Sequence, residues 1–427
     1  MGREVGRTGK GPKAKAPPGG WWYQFPPALR DVATVRMVAS IGAGGVLYLT
    51  PMVFHNAAFT ASQVGLGLAL GAGAGTLGRF ASGALLDRGL RCSLPVLVAA
   101  LLAMVADALL FGAHQFGDYL LGQLLFGAAV GLYWPAMELA VSLSCEPLPS
   151  GRGYALARSA DARGIALGAL IGAGLAGMGH LRGIYLVDIS GLVLVVVLLL
   201  RRPLAARAPL APEGRQSDWH RWLPPLLPML LLTVVATAIP ALMQSALPLD
   251  LVRGGLQRPA LPAGTGALLI GGQLGLLLLI QWPVGQFLAK RPLKLGLTIS
   301  LLSFSLGCVL LALSALSSGG AGFVALALLP VALGEAAFLP IATEAVVELT
   351  PVDHQGLAMA LFSQCFAVSS FAAPLLAGWF LDSHHHGLWL WLVTALACLL
   401  GLPLVAQIGR LQEQRRLAGL GEAGSGP

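Results

Sequence analysis

The chain has 427 residues, of which 56% are apolar and only 11% are charged, and its mean hydropathy is +0.76. A water-soluble domain of this length could not hide so much apolar surface in its core. The composition therefore excludes an ordinary soluble protein and predicts a membrane protein. The net charge of +8 needs no nucleic-acid partner, because the arrangement of the basic residues along the chain accounts for it.

Twelve apolar stretches are long enough to cross the hydrocarbon layer, which takes about 20 residues. They begin near Val32, Ser62, Leu94, Tyr119, Tyr154, Ile184, Leu223, Thr265, Leu295, Gly322, Leu357 and Leu388. The pattern predicts an all-α membrane protein with twelve transmembrane helices. Because the number is even, both termini should lie on the same side of the membrane.

The basic residues indicate which side that is. With the termini in the cytoplasm, 20 of the 27 Lys and Arg residues fall in cytoplasmic segments, and only Arg182, Arg253 and Arg258 fall outside. This bias predicts cytoplasmic termini under the positive-inside rule. The basic segment 1–29 has no apolar core, so we expect a disordered, solvated tail and not a signal peptide.

Hydrophobicity falls sharply between Arg201 and Trp222, in a stretch rich in Pro, Ala and Arg. Such a segment suits a linker between two bundles. We predict a six-helix bundle at 30–203, a cytoplasmic linker at 204–221, a second six-helix bundle at 222–409 and a cytoplasmic tail at 410–427. Repeated features support a duplication, since Gly83 matches Gly285 and Pro135 matches Pro340 at nearly the same offset.

The loop between the second and third stretches carries the sequence GALLDRGLR, from Gly83 to Arg91. It resembles the G-x-x-x-D-R-x-G-R signature that transporters of the major facilitator superfamily carry in this loop. The resemblance implies two pseudo-symmetric six-helix bundles with a solute site between them near the membrane midplane. It also implies a multi-pass protein of the inner (plasma) membrane. The chain departs from the pattern at Gly89, one position before the second glycine of the signature.

The same resemblance implies a gating role for this loop. Asp87 would face the N-terminus of the eleventh helix, where free N–H groups favour a carboxylate. Gly83 would allow close helix contact, and Arg88 and Arg91 would pair with acidic groups or lipid headgroups. The matching loop of the second half has Ala289 in place of the aspartate. We therefore expect the gating contact of the carboxylate in the first half only.

Ionisable residues inside transmembrane segments are functional candidates, because burying them in lipid is costly. The resemblance places the fourth and tenth helices at the central cavity and so selects Glu138, Glu335 and Glu344 as candidate proton or substrate groups. Glu335 has no basic residue within four positions on its own helix. An unpaired carboxylate at that depth could carry a proton.

The remaining intramembrane charges form a second candidate set, Arg36, Arg79, Arg158, Asp161 and Arg163. Arg158 and Asp161 are three residues apart and can meet on one helical face. We expect this charge network to have a structural or gating role.

The fifth stretch contains Gly164, Gly168 and Gly172, and it resembles in part the glycine-rich motif of exporters in the same superfamily. Ala169 stands where that motif has proline. Small residues on one face also let helices pack closely in lipid, so the pattern fits a packing role equally well.

The leading prediction is a secondary active transporter of a small organic solute, driven by an ion gradient and directed outward. A proton-coupled nutrient importer and a non-transporting sensor or assembly factor are alternatives. No catalytic or metal-ligand set is present in the sequence, and His384, His385 and His386 are expected to form a solvated loop, so we expect neither enzyme activity, cofactor nor bound metal. The expected partners are the solute, membrane lipid and protons, and the expected state is a monomer.

Overall fold

The structure is a computed structural model that describes residues 21–148, 150–206, 219–288, 291–351 and 354–423. Most of the predicted N-terminal tail and linker lie outside the described residues, as does Ala289. Within the described residues the chain is almost entirely helical, with a single backbone bridge between Arg91 and Ala206 as its only β pairing.

The first half of the chain contains six long helices, preceded by a short 3-10 helix at Trp21–Gln24. They are α1 (Pro27–Asn56), α2 (Ala61–Asp87), α3 (Ser93–Gly112), α4 (Phe116–Leu143), α5 (Ser150–Gly177) and α6 (Gly183–Arg201).

The second half repeats this arrangement, with its last transmembrane segment divided at Gly401. Its helices are α7 (Trp219–Arg253), α8 (Ala263–Leu288), α9 (Leu293–Ser314), α10 (Gly320–Glu348), α11 (Gln355–His384), α12 (Leu388–Leu400) and α13 (Leu402–Ala423).

The twelve predicted transmembrane segments are confirmed. Eleven helical segments of the described chain are long and apolar enough to cross a membrane. The twelfth, α5, has 28 residues, and its charged residues Arg158, Asp161 and Arg163 lower its apolar content. The loop expected at His384, His385 and His386 begins one residue later than predicted. Helix α11 includes His384 and ends where His385 adopts a left-handed φ of 62°.

Glycines set the spacing of the helices within the first half. A Cβ at Gly168 would collide with the backbone of Ile41 on α1, and one at Gly127 would collide with Gly71 on α2. Close approach of backbones strengthens packing where lipid supplies no hydrophobic driving force between helices. The glycine pattern of α5 therefore has a packing explanation against α1.

We name the two ends of the bundle by their helix termini. The terminal face is the end at which α1 begins and α2 ends at Asp87. The far face is the opposite end, at which α2 begins at Ala61 and α11 ends at His384.

The two halves meet mainly through α2 with α11, α5 with α8 and α1 with α7. At the far face these contacts are tight: the Cβ position of Gly378 lies 2.7 Å from the Ala61 carbonyl, and that of Gly264 lies 3.0 Å from Gly177. Toward the terminal face, a Cβ at Gly83 would have no atom within 4 Å. The halves are therefore packed together at the far face, whereas α2 has open space beside Gly83 toward the terminal face.

Candidate functional site

The contact between α1, α7 and α10 lies near the middle of the bundle, between the two halves. The amide of Gln244 on α7 donates to the hydroxyl of Tyr48 on α1 at 3.4 Å. Glu335 on α10 lies close enough to Tyr48 for their charges to interact. Three polar side chains from both halves thus converge where a solute between the halves would pass.

Glu335 is half-buried and forms no hydrogen bond or ion pair with any residue that the structure describes. The sequence indicated that its own helix offers no base, and the structure extends this to the neighbouring helices. Glu344 lies on the same helix but is exposed. Of the two candidate carboxylates on α10, Glu335 is the one that lies near the Tyr48–Gln244 pair.

A buried ion-pair network occupies the first half nearer the terminal face. The fully buried guanidinium of Arg36 on α1 contacts Asp161 on α5 at 2.5 Å and Glu138 on α4 at 3.1 Å. Arg158, whose side chain is 62% exposed, lies 3.6 Å from the same Glu138 carboxylate. Removing one partner would leave an uncompensated buried charge, which is strongly destabilising. The network therefore joins three helices of one half.

The network includes some of the predicted residues and leaves out others. Arg36, Arg158 and Asp161 are brought together, and Glu138 joins them although we predicted it as a proton or substrate group. Arg79 and Arg163 form no ion pair within the described chain. Their place in the candidate network stays a prediction.

The far face is closed by a contact between α11 and the start of α2. The Asp382 carboxylate accepts hydrogen bonds from the backbone N–H groups of Ala61 at 3.1 Å and Ser62 at 2.7 Å. It also pairs with Arg253, at the end of α7, at 2.7 Å. A carboxylate at a helix N-terminus is favoured by the free N–H groups and by the helix dipole. We call this contact the far lock.

A depression of about 480 Å³ opens beside the far lock on the far face. Its lining residues are His55, Ala58, Phe59, Thr60, Arg253, Asp382 and His385. The lock is therefore reachable from that side of the bundle, while the helices below it are packed.

At the terminal face the residues of the signature loop are arranged differently. Asp87 is exposed, and it forms no hydrogen bond or ion pair with any described residue. Arg88 caps the end of α2, and Gly89 has a φ of 83°, a conformation that favours glycine. The displaced glycine of the signature is therefore required by the turn.

The loop is joined to the segment that follows α6. The backbone N–H of Cys92 donates to Ala205 at 3.1 Å, and Arg91 pairs with Ala206. The expected contact of Asp87 with the start of α11 is not formed among the described residues, which do not include 352 and 353. In this conformation the signature loop therefore contacts its own half.

Sequence reasoning missed three carboxylate sites at or near the far face. We assigned Arg253 and Arg258 to outer loops, yet Arg253 pairs with Asp382, and Arg258 pairs with the buried Asp250 at 3.1 Å. Asp107 and Asp188 lie nearer the far-face ends of their helices, yet they are only 0% and 2% exposed. Asp382 with Arg253 and Asp107 with Asp188 bring together groups from different helices, and Arg258 lies in the loop after α7, so no spacing within one helix reveals the partners.

The fold and the site together define a membrane transporter. Two bundles of six helices enclose polar groups between them, and the contact is closed at one face and loose at the other. The sequence model of the Major Facilitator Superfamily matches residues 32–331 and 262–423. The chain therefore belongs to the Major Facilitator Superfamily, and it is a transporter and not an enzyme.

Solved structures of similar fold include a peptide transporter POT in complex with sulfate, with 16% identity, a TM-score of 0.70 and coverage of 90% of this chain and 96% of that one. A POT family transporter in complex with 5-aminolevulinic acid has 13% identity, a TM-score of 0.75 and coverage of 90% and 97%. The nucleoside transporter NupG has 12% identity, a TM-score of 0.71 and coverage of 90% and 99%. A comparison with curated protein sequences finds no match. At these identities the likeness establishes the fold alone.

Proposed function

We propose that the chain is a proton-coupled secondary transporter that moves a small organic solute through the space between its halves by alternating access. One observation carries the proposal: Glu335 lies close to Tyr48 of the opposite half, which accepts a hydrogen bond from Gln244, and Glu335 has no basic partner among the described residues. An unpaired carboxylate in a water-poor site favours its protonated form, and access to water favours release of the proton. Glu335 is therefore placed to link proton binding to the state of the cavity.

The far lock and the open terminal face support alternating access. In this conformation the site has no direct opening at the far face, where Asp382 holds α2 and α11 together. With the termini in the cytoplasm, as the charge bias favours, this conformation faces the cytoplasm. The reverse conformation would open the far face and close the terminal face, and Asp87 would then reach the start of α11.

We propose outward transport as the driven direction, as the exporter-like glycines of α5 suggest. Those glycines also have a packing role against α1, so the direction is best measured by flux. Proton-coupled import of a nutrient would use the same coupling group, Glu335. Inward accumulation in the flux measurement would favour that alternative. POT family and nucleoside transporters share the fold, and that likeness assigns no solute to this chain.

Replacing Glu335 by Gln tests the coupling. In proteoliposomes with an imposed pH gradient, a solute found in a flux screen should still exchange in Glu335→Gln, whereas gradient-driven accumulation should be lost. The amide keeps the size and polarity of the carboxylate but cannot release a proton. The sign of the accumulation in the parent protein gives the direction of transport.

Glu344→Gln is the matched control, because Glu344 lies on the same helix and is exposed. It should accumulate the solute as the parent does. Full accumulation in Glu335→Gln would show that Glu335 is not the proton carrier.

The orientation is tested by single cysteines at Ala206 on the terminal face and Ser383 on the far face, both exposed. All five native cysteines are buried and would be replaced. An impermeant thiol reagent should label Ser383→Cys on intact cells and Ala206→Cys only after permeabilisation, because the termini are placed in the cytoplasm. The reverse labelling pattern would mean that the orientation in the membrane is the opposite one. The terminal face would then lie outside, and this conformation would face outward.

A further inference from the structure

A pair of buried carboxyl groups lies in the first half, away from the space between the halves. Asp107 is on α3, and Asp188 is on α6. Their side chains lie within hydrogen-bonding distance of each other. The helices that carry them pack mainly on α1 and α4, so the pair is separate from Glu335 and the proposed solute site.

No donor in the described structure satisfies this pair. Both carboxylate oxygens of Asp107 are buried and lack a hydrogen-bond partner. Neither aspartate forms an ion pair with a described residue. Two acceptors that face each other in the absence of a donor or a cation repel one another.

The polar groups that surround the pair are already occupied. The hydroxyl of Tyr185 shares a hydrogen bond of 3.2 Å with Thr50. Tyr119 on α4 donates to the Val64 carbonyl at 2.7 Å. Arg182, at the start of α6, donates to the carbonyls of Phe111 and Ala113 at the end of α3. The nearby titratable groups thus have other partners, and the pair has only itself.

Gly42 on α1 brings a third helix against the pair. A Cβ at Gly42 would collide with the carboxylate of Asp188, so α1 packs directly against this side chain. The same helix carries Tyr48, which lies about 9 Å further along the helix axis and contacts Gln244 of the other half. Through α1, the pair is mechanically connected to the contact between the halves.

We propose that Asp107 and Asp188 form a proton-binding site in which the two carboxyl groups share one proton. The proton turns the repulsive contact between two acceptors into a hydrogen bond and leaves a single negative charge on the pair. Similar sharing occurs wherever two carboxyl groups are held too close together for both to ionise. The site goes beyond the proposed function, and it holds its proton whether or not Glu335 is the coupling group.

Infrared spectroscopy of the purified full-length protein in lipid nanodiscs at pH 7 tests the site. The C=O band of a protonated carboxylic acid is separate from the bands of carboxylates, and it shifts when the sample is transferred to D₂O. Aspartate labelled with ¹³C at its carboxyl group should shift one such band in the parent protein, because the proton is held by aspartate. The band should be lost in Asp107→Asn, in Asp188→Asn and in the double variant.

Glu335→Gln is the matched control, and it should keep the aspartate band. This comparison separates the pair from the proposed coupling group, so either proposal can fail alone. The isotope experiment needs no mutation and therefore remains decisive if the asparagine variants fail to fold.

Two results would overturn the proposal. One is the absence of any protonated band sensitive to ¹³C-aspartate, which would mean that both carboxyl groups are ionised. The other is a band that is present in potassium buffer and disappears on addition of sodium chloride, in the parent and in Glu335→Gln alike. That result would make the pair a sodium site in place of a proton site.

Discussion

Each end of the contact between α2 and α11 has a carboxylate from one helix and the N-terminus of the other. The two ends differ in whether the carboxylate is bound. At the far face, the Asp382 carboxylate of α11 binds the N-terminal N–H groups of α2 and also pairs with Arg253. At the terminal face, Asp87 at the end of α2 is exposed and has no described partner. Each helix therefore offers a carboxylate at its own end and a positive N-terminus at the other. Only one of the two possible contacts is made.

The difference between the ends follows from the glycines along α2. Gly65 lies against the backbone of Pro374, Gly73 touches Phe371, and Gly83 has no neighbour within 4 Å of its Cβ position. A helix of 27 residues is about 40 Å long and moves as a stiff element. Closing one end of such a pair separates the other. The sequence signature at Asp87 would then describe a lock that belongs to the opposite conformation.

The largest expected effect comes from breaking the far lock with Asp382→Asn. The substitution removes the ion pair and weakens two charge-assisted hydrogen bonds. Hydrogen bonds to charged groups contribute about 1.5–3 kcal/mol, and the lower value corresponds to about tenfold in population. A reporter at Met52, which is buried beside Gly266 of the other half, should then become accessible from the far face. Labelling of Met52→Cys by an impermeant reagent should be about ten times faster in Asp382→Asn.

The control for this measurement is Asp118→Asn. Asp118 lies on the same face, in the first turn of α4, and is exposed. It should leave the labelling rate unchanged, because surface carboxylates of this kind contribute little. Equal rates in the two variants would mean that Asp382 does not hold the far face closed.

A smaller effect of opposite sign is expected from Asp87→Asn. The carboxylate is free in the present conformation, so its removal should destabilise only the conformation in which it reaches the start of α11. An interaction of this type is worth about 0.3–1 kcal/mol, which corresponds to a change of about two- to fivefold. Labelling of Met52→Cys should slow by that factor, and transport should fall.

Combining the two substitutions sharpens the comparison. In the double variant, Asp87→Asn should cancel part of the increase in the labelling rate of Met52→Cys that Asp382→Asn causes. If Asp87→Asn left both labelling and transport as in the parent, the likeness of the loop to the family signature would carry no gating role here.

The architecture was largely predictable from the sequence, because each transmembrane segment is a local property of about 20 residues. Even α5, which departs from an ordinary apolar span, was recognised despite Arg158, Asp161 and Arg163. Glu335 could be selected because the sequence shows the absence of a base on its own helix. Its neighbours Tyr48 and Gln244 belong to α1 and α7, and nothing in their local sequence indicates that they meet.

The far lock could not be predicted for the same physical reason. Asp382 stands alone before a run of histidines, and its partners come from the start of α2 and the end of α7. The charge count treats Arg253 as one of three basic residues expected outside, which says nothing of its ion pair. The family signature directed attention to Asp87, whose contact is absent from this conformation within the described residues.

Distances across the two faces test the central claim most directly. Paired spin labels at Phe80 and Leu357 span the terminal face, and labels at Ser62 and Ser383 span the far face; all four positions are exposed. Pulsed electron spin resonance should show that Asp382→Asn lengthens the far-face distance and shortens the terminal-face distance relative to the parent. Two unchanged distances, or two that change in the same direction, would contradict an exchange of contacts between the ends of α2 and α11.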